Sequence, residues 1–132
     1  MSIVHELKDM TAVVTGSSSG IGRAIALELA AGGAHILVHT RTRAVAAGQV
    51  AADIRSLGPS SDVVLSDLAD AAGHEPLVER AWQWRAGVDI WVNNAGVDVL
   101  TGDIARLTFD EKLKRLWEVV VQATMRLSRL IG

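Results

Sequence analysis

The stretch Val13 to Gly22, VVTGSSSGIG, sets three glycines and three serines between an apolar run and a segment of helical period. Residues this poor in side chain let a ligand come close to the backbone. At a strand-to-helix turn the ligand that gains is an anion, because the free N–H groups of the first helical turn and the positive end of the helix dipole converge there. Glycine spacing by itself also fits a plain tight turn. The context narrows it: this turn follows a strand candidate, opens a helix and lies inside a β-α-β unit of suitable length, the setting in which such a motif holds a pyrophosphate.

The elements that place this turn are legible from period and punctuation. Thr11 to Thr15 (TAVVT) reads as a strand, and a helix runs from about Ile21 to Ala31, closed by Gly32 and Gly33. His35 to Thr40 (HILVHT) is a second strand, followed by a helix from about Thr42 to Leu57 that stops at Gly58 and Pro59. Asp62 to Ser66 is a third strand, a helix spans roughly Glu75 to Trp84, and Val88 to Val92 (VDIWV) is a fourth strand. The apolar runs are short and nearly uninterrupted, as parallel strands covered on both faces require. The expected fold is α/β: a Rossmann-like doubly wound parallel sheet in three layers, ending after the fourth strand and the helix that follows it.

That last helix spans Phe109 to Ile131, with Thr108 as N-cap and Glu111 completing a capping box. Leu113, Leu116, Trp117, Val120, Ala123, Thr124, Leu127 and Ile131 form an apolar stripe wide enough to meet both a sheet and a second partner. Ending at the fourth strand would also leave VDIWV as an open apolar edge, the kind of edge that pairs with another chain. Self-association through this helix, as a symmetric dimer, is the expectation, the alternative being a monomer in which the last helix folds over the bare edge.

Composition sets the outer bounds. At 132 residues the chain makes one domain, 1–132, and with 49% apolar residues it has enough material for a core. Its formal net charge of −2 and scattered basic residues argue against nucleic acid or an anionic membrane as the main partner. It contains no cysteine, which excludes disulfides and thiolate metal sites and favours an intracellular compartment. The N-terminus MSIVHELKDM is charged where a signal peptide needs an apolar run, and no stretch reaches the length of a membrane span, so the expected location is the cytoplasm.

Three motifs in order, TGSSSGIG (Thr15 to Gly22), SDL (Ser66 to Leu68) and NNAG (Asn93 to Gly96), each at a strand end, resemble the short-chain dehydrogenase/reductase family. The resemblance covers Leu7 to Ile131. It implies that Gly16, Ser17, Ser18, Ser19, Gly20, Ile21 and Gly22 hold the pyrophosphate and adenosine ribose of a dinucleotide. It further implies that Asp67 and Leu68 flank the adenine and that Asn94, Ala95 and Gly96 line the cofactor. Two local readings stand beside these: Asp67 as a cap for the next helix, and Asn93 and Asn94 as amides that close loops.

The choice of dinucleotide rests on the end of the second strand, where an acid accepts from a free ribose 2′-hydroxyl and a cation holds a 2′-phosphate. The stretch His39-Thr40-Arg41-Thr42-Arg43 has no acid and two arginines, with Thr40 where NAD-preferring relatives tend to carry Asp. NADP is expected over NAD, read by Thr40 and Arg41; the plain alternative for Arg43 is a solvated helix-start residue.

The family resemblance implies hydride transfer between a carbonyl and an alcohol, of the 3-oxoacyl or sugar-alcohol type. That reaction uses a Tyr acid/base, a Lys that lowers its pKa, a Ser that orients the substrate and an Asn on the helix after NNAG. This chain has no tyrosine. Its alignment at the last helix puts Val120 in the Asn position, and it stops before the strand that would carry the Ser. No catalytic residue is assigned. Two readings follow: a cofactor-binding portion of such an oxidoreductase, or a non-catalytic dinucleotide-binding or dimerising module.

The remaining candidates are weaker. His35 and His39 lie roughly 13 Å apart at strand rise, too far to share a metal. His5 and His74 have no neighbouring ligand in sequence, and no metal site is expected. Trp82 and Trp84 cannot share a helix face, so one should pack and the other lie at an edge. Lys112 to Arg115 (KLKR) reads as a solvated face.

Overall fold

A computed structural model describes residues 5–98 and 100–132; Met1 to Val4, the first part of the charged N-terminus, and Val99 lie outside the described residues. Four parallel strands, β1 (Thr11–Val14), β2 (His35–Thr40), β3 (Ser61–Leu65) and β4 (Ile90–Val92), form one sheet in the order β3-β2-β1-β4. The register sets Val14 beside both Val38 and Val92, and Thr40 beside Leu65, so the carboxyl ends of the strands share one edge. Strand order reverses between β1 and β4. The crevice at such a reversal, outside the carboxyl ends, is where open α/β sheets bind ligands.

The period-2 alternation of the two central strands assigns the layers. Ala12, Val14, Ile36 and Val38 face α1 (Gly20–Ala31) and α2 (Ala44–Ser56), packing with Ala26, Ala30, Ala47, Ala51, Val50 and Ile54. Alanines along this seam let both helices lie close to the sheet, and added methylenes there would force strain. Val13 and Leu37 point to the other face, where Ala81 and Trp84 of α3 (His74–Trp84) cover them. This is the expected three-layer, doubly wound arrangement. As expected, Trp84 packs while Trp82 sits at the edge, 39% exposed.

Element limits differ from expectation at the edges. Thr15 has left β1 to serve the turn, β3 begins and ends one residue earlier, and β4 omits Val88 and Asp89. Asp89 instead accepts the Thr11 N–H on its carboxylate at 2.9 Å. A 3-10 turn (Ala71–Gly73), capped by the Asp70 carboxylate on the Ala72 N–H at 3.0 Å, leads into α3. A second short turn, Asp103–Arg106, precedes α4 (Phe109–Leu116).

The largest departure is in the final helix. Thr108 caps it as expected, its hydroxyl accepting the Glu111 N–H at 3.2 Å. A π turn at Trp117–Gln122 then separates α4 from α5 (Ala123–Ile131). The wide turn takes in extra residue length and shifts the phase of the stripe. Val119, Ala123 and Leu127 are the buried residues, against Leu68 and Leu77. Val120 is 44% exposed, and Leu113 and Trp117 are 53% and 57% exposed. The single stripe read from sequence is thus two faces, one packed and one open.

Candidate functional site

The β1–α1 turn is fixed by sterics before any polar contact is counted. Gly16 adopts φ +63°, and a Cβ there would lie 2.8 Å from the Ala95 Cα; one on Gly22 would lie 2.2 Å from the Gly16 carbonyl oxygen and 2.4 Å from Asn94 Nδ2. No side chain fits at Gly22 without moving backbone, so the glycine spacing of the motif is a packing requirement of the turn against the NNAG segment. Polar contacts lock the same junction. Thr15 Oγ1 accepts the N–H groups of Asn94 and Ala95, both at 3.0 Å, and the Asn94 amide donates to the carbonyls of Thr15 and Gly16, both at 3.2 Å. Asn94 therefore has the loop-closing role. Asn93 turns elsewhere, accepting from the Trp91 indole N–H at 3.0 Å and donating to Ser128 at 3.1 Å.

His39, which sequence reasoning dismissed together with the metal question, is the second anchor of the turn. Its ring is buried between two loops: Nδ1 accepts the Gly16 N–H at 2.9 Å, and Nε2 lies 2.9 Å from the Ser66 carbonyl oxygen. A carbonyl can only accept, so the ring is the neutral Nε2–H tautomer. Burial lowers its pKa below 6.5, partly opposed by the bond to Ser66. Ser17 completes the knot. It is fully buried, its hydroxyl donates to the Val14 carbonyl at 2.7 Å and accepts the His39 N–H at 3.1 Å.

Around this frame lies a cleft of about 440 Å³ whose walls include Gly16, Ser18, Ser19, Thr40, Arg41, Asp67, Leu68, Ala95 and Gly96. The structure thus brings together nine of the fourteen residues expected from sequence. Ser17, Gly20, Ile21, Gly22 and Asn94 lie outside the cleft walls. Of these, Ser17, Gly22 and Asn94 build the frame behind it, while Ile21 is 75% exposed.

The donor set suits a pyrophosphate. Ser19, the N-cap of α1, makes no side-chain cap bond, and the first turn carries no acidic residue. The amides of that turn are therefore left to an anion, with the helix dipole behind them.

The β2–α2 turn supplies cations. Thr40 is buried, its hydroxyl donating to Ser18 Oγ at 3.2 Å and accepting the Arg43 N–H at 3.3 Å. Arg43 is the exposed N-cap residue of α2, as a solvated helix-start residue would be, but it also makes a contact across the turn. Its guanidinium crosses the cleft wall to Ser19 Oγ at 3.3 Å. Arg41 pairs with Asp67, Nε to Oδ2 at 3.5 Å, with both side chains about half exposed. Asp67 also accepts the Ala69 N–H at 3.0 Å, a local turn, while the capping of the following turn falls to Asp70. Arg115 corrects another expectation: one residue of KLKR, it lines the cleft from α4, beside Val119 of the π turn. Val97, Asp98 and Ile104 were also missed, because nothing in their spacing marks loop residues that only tertiary folding brings to a cleft.

Comparison with known proteins places these observations. A family model described as short chain dehydrogenase matches residues 10–131. The chain is 39% identical over 125 residues to the short-chain dehydrogenase/reductase FrzI of Cladobotryum sp., covering 91% of this chain and 48% of the relative. A short chain dehydrogenase from Burkholderia cenocepacia, solved in complex with NADP, superposes with a TM-score of 0.82 at 36% identity, over 93% of this chain and 49% of that one. The landomycin C-6 ketoreductase LanV, solved with NADP and rabelomycin, gives a TM-score of 0.81 at 37% identity, over 95% of this chain and 53% of that one. The chain therefore spans about half the length of the relatives it matches. Among the described residues no helix is long and apolar enough to cross a membrane.

Proposed function

The chain belongs to the short-chain dehydrogenase family, and on that basis we propose that residues 1–132 are its dinucleotide-binding domain, holding NADP(H) in preference to NAD(H). One observation carries the reading. Ser19, the N-cap of α1 with no side-chain cap bond, and two arginines with no competing acid on β2 line the same cleft, at the carboxyl edge of the sheet. The α1 amides and Ser18 and Ser19 receive the pyrophosphate. Arg41 and Arg43 take the 2′-phosphate through charge-assisted bonds. Asp67 and Leu68 form the adenine wall, and Ala95 and Gly96 the floor leading away from it. Gly16, Gly20 and Gly22 shape the turn, with Ile21 presenting an apolar side chain at its rim. When bound, the dinucleotide supplies a hydride.

Carbonyl reduction or alcohol oxidation is the activity that the family membership suggests for the whole protein. These 132 residues contain no tyrosine, and Val120 occupies the position where the family pattern has Asn. They support binding and orientation of the cofactor, without a group that moves the substrate proton. This favours cofactor binding as the activity of the chain tested by itself. Position in the cytoplasm agrees with the absence of cysteine. Pairing with a second copy would use the open face of the final helix, where Leu113, Trp117 and Val120 stand exposed.

Equilibrium dialysis of the purified chain against NADPH tests the reading. Saturable one-to-one binding, with no NADPH oxidation dependent on an added ketone or 3-oxoacyl thioester, is the expected result. No binding would overturn it, and carbonyl-dependent turnover that survives repurification would overturn the limit to binding.

A further inference from the structure

The adenine wall, residues 66–68, is fastened unevenly. At one end Ser66 is tied to the sheet, its N–H donating to the Thr40 carbonyl at 3.1 Å and its carbonyl accepting from His39. Beyond Leu68 the bonds are local: the Ala69 N–H goes to the Asp67 carboxylate and the Asp70 N–H to the Asp67 carbonyl. Leu68 itself is held by His74. This imidazole, the first residue of α3 and 1% exposed, places Nε2 2.8 Å from the Leu68 carbonyl oxygen. On its other side Nδ1 accepts the Arg126 Nε–H at 3.2 Å, from α5.

The two partners fix the ring chemically. A guanidinium can only donate and a carbonyl can only accept, so His74 is held as the neutral Nε2–H tautomer with its donor aimed at Leu68. Arg126 enforces the orientation as well as filling the acceptor. Without that donor, the opposite tautomer, which cannot bond Leu68, becomes competitive. Without the ring, a buried carbonyl loses its partner and regains one only if the peptide moves toward water. Such a movement carries Asp67, the partner of Arg41, out of register.

We propose that His74, backed by Arg126, is a positioning residue that sets the adenine wall of the cofactor cleft and thereby the affinity for the adenosine end of the dinucleotide. The inference rests on the proposed cofactor reading and deepens it. It makes α5, a helix with no residue in the cleft wall, a determinant of binding.

The test uses the full chain and adenosine 2′,5′-bisphosphate, which carries the adenosine end alone. Calorimetry should find affinity about tenfold weaker for His74→Leu and restored to within about twofold by His74→Gln, whose amide can donate to Leu68 from the Nε2 position. Arg126→Leu, a change at an exposed side chain, should weaken binding about threefold, and it carries the test should His74→Leu fail to fold. Hydrogen exchange on the free chains should show the amides of 67–70 less protected in His74→Leu and in Arg126→Leu, and protected again in His74→Gln. Unchanged affinity in Arg126→Leu and in whichever His74 variants fold would overturn this inference alone. So would a failure of His74→Gln to recover what His74→Leu loses. No binding by the unsubstituted chain would overturn the cofactor reading and this inference with it.

Discussion

The two walls of the cleft are built by different means. The β1–α1 turn is an over-determined backbone structure. Gly16 and Gly22 fit only as glycines, and Thr15, Ser17, His39 and Asn94 spend their hydrogen-bonding groups on one another and on the turn. The β2–α2 rim is made of side chains that reach into solvent, with Arg41 and its partner Asp67 about half exposed and Arg43 holding Ser19 by a 3.3 Å contact. The first wall offers amides, which any pyrophosphate can use. The second offers charge, which in the proposed reading a 2′-phosphate rewards. On the proposed reading, affinity for the class of ligand and choice within the class are separated in space, and substitutions should separate them too.

The largest effect is expected from Gly22→Ala. A methyl group 2.2 Å from a backbone oxygen cannot be relieved by a rotamer change, so the chain should lose about 3 kcal/mol of stability. Chemical denaturation should show it, with binding of NADPH and NADH lost together. Retained binding of either would mean that the turn is less constrained than its contacts imply.

Arg41→Asp should act on the opposite wall. It removes a cation and puts an acid one residue after Thr40, and it should reverse the preference so that NADH binds more tightly than NADPH, while the lost pair with Asp67 and the like charge beside it cost no more than about 1 kcal/mol of unfolding free energy. Arg43→Ala should cost NADPH about a factor of ten and leave NADH nearly unchanged, the loss of one charge-assisted bond. Equal losses for both nucleotides would place Arg43 with the backbone wall.

Much of this was legible in the sequence. Glycine and serine spacing, the strand ends and the two arginines located the cleft, because local punctuation and period carry that information. What sequence did not carry is which side chains face one another after folding. His39 was weighed as a metal ligand, although its partners are the backbone groups of Gly16 and Ser66, 23 and 27 residues away in the chain. The Ser19 contact of Arg43, which is exposed as read, and the place of Arg115 in the cleft wall do not show in sequence because they join different elements. The final helix misled for a local reason: the π turn at Trp117–Gln122 turns Val119 inward and Val120 outward, and a helical wheel of constant period cannot represent that.

A smaller effect sharpens the first wall through pH. His39 has a folded pKa below its ordinary 6.5 because burial disfavours the charged ring. The unfolded chain therefore binds the proton more readily, and stability rises with pH between the folded and unfolded values. The contribution is complete above about pH 6.5 and is lost as pH falls through the folded pKa. Denaturation midpoints measured from pH 7.5 downward should decline over that window, and His39→Gln should remove part of the slope. An unaltered slope in that variant would assign the dependence to other groups.

The smallest effect on the cleft is expected from the open face of the final helix. If the chain pairs through this face as proposed, Leu113→Glu with Trp117→Glu should turn the dimer into a monomer in sedimentation at micromolar concentration while changing NADPH affinity less than about twofold. A dimer that persists would move the contact elsewhere.

The division between the two walls meets its most direct test in one calorimetric comparison, NADPH against NADH titrated into the same preparation of the unsubstituted chain. Both should bind, since both present a pyrophosphate to the α1 amides, and NADPH should bind about tenfold or more tightly because only it meets Arg41 and Arg43. Equal affinities would contradict the role given to the arginines, and the absence of binding by either would contradict the cleft itself.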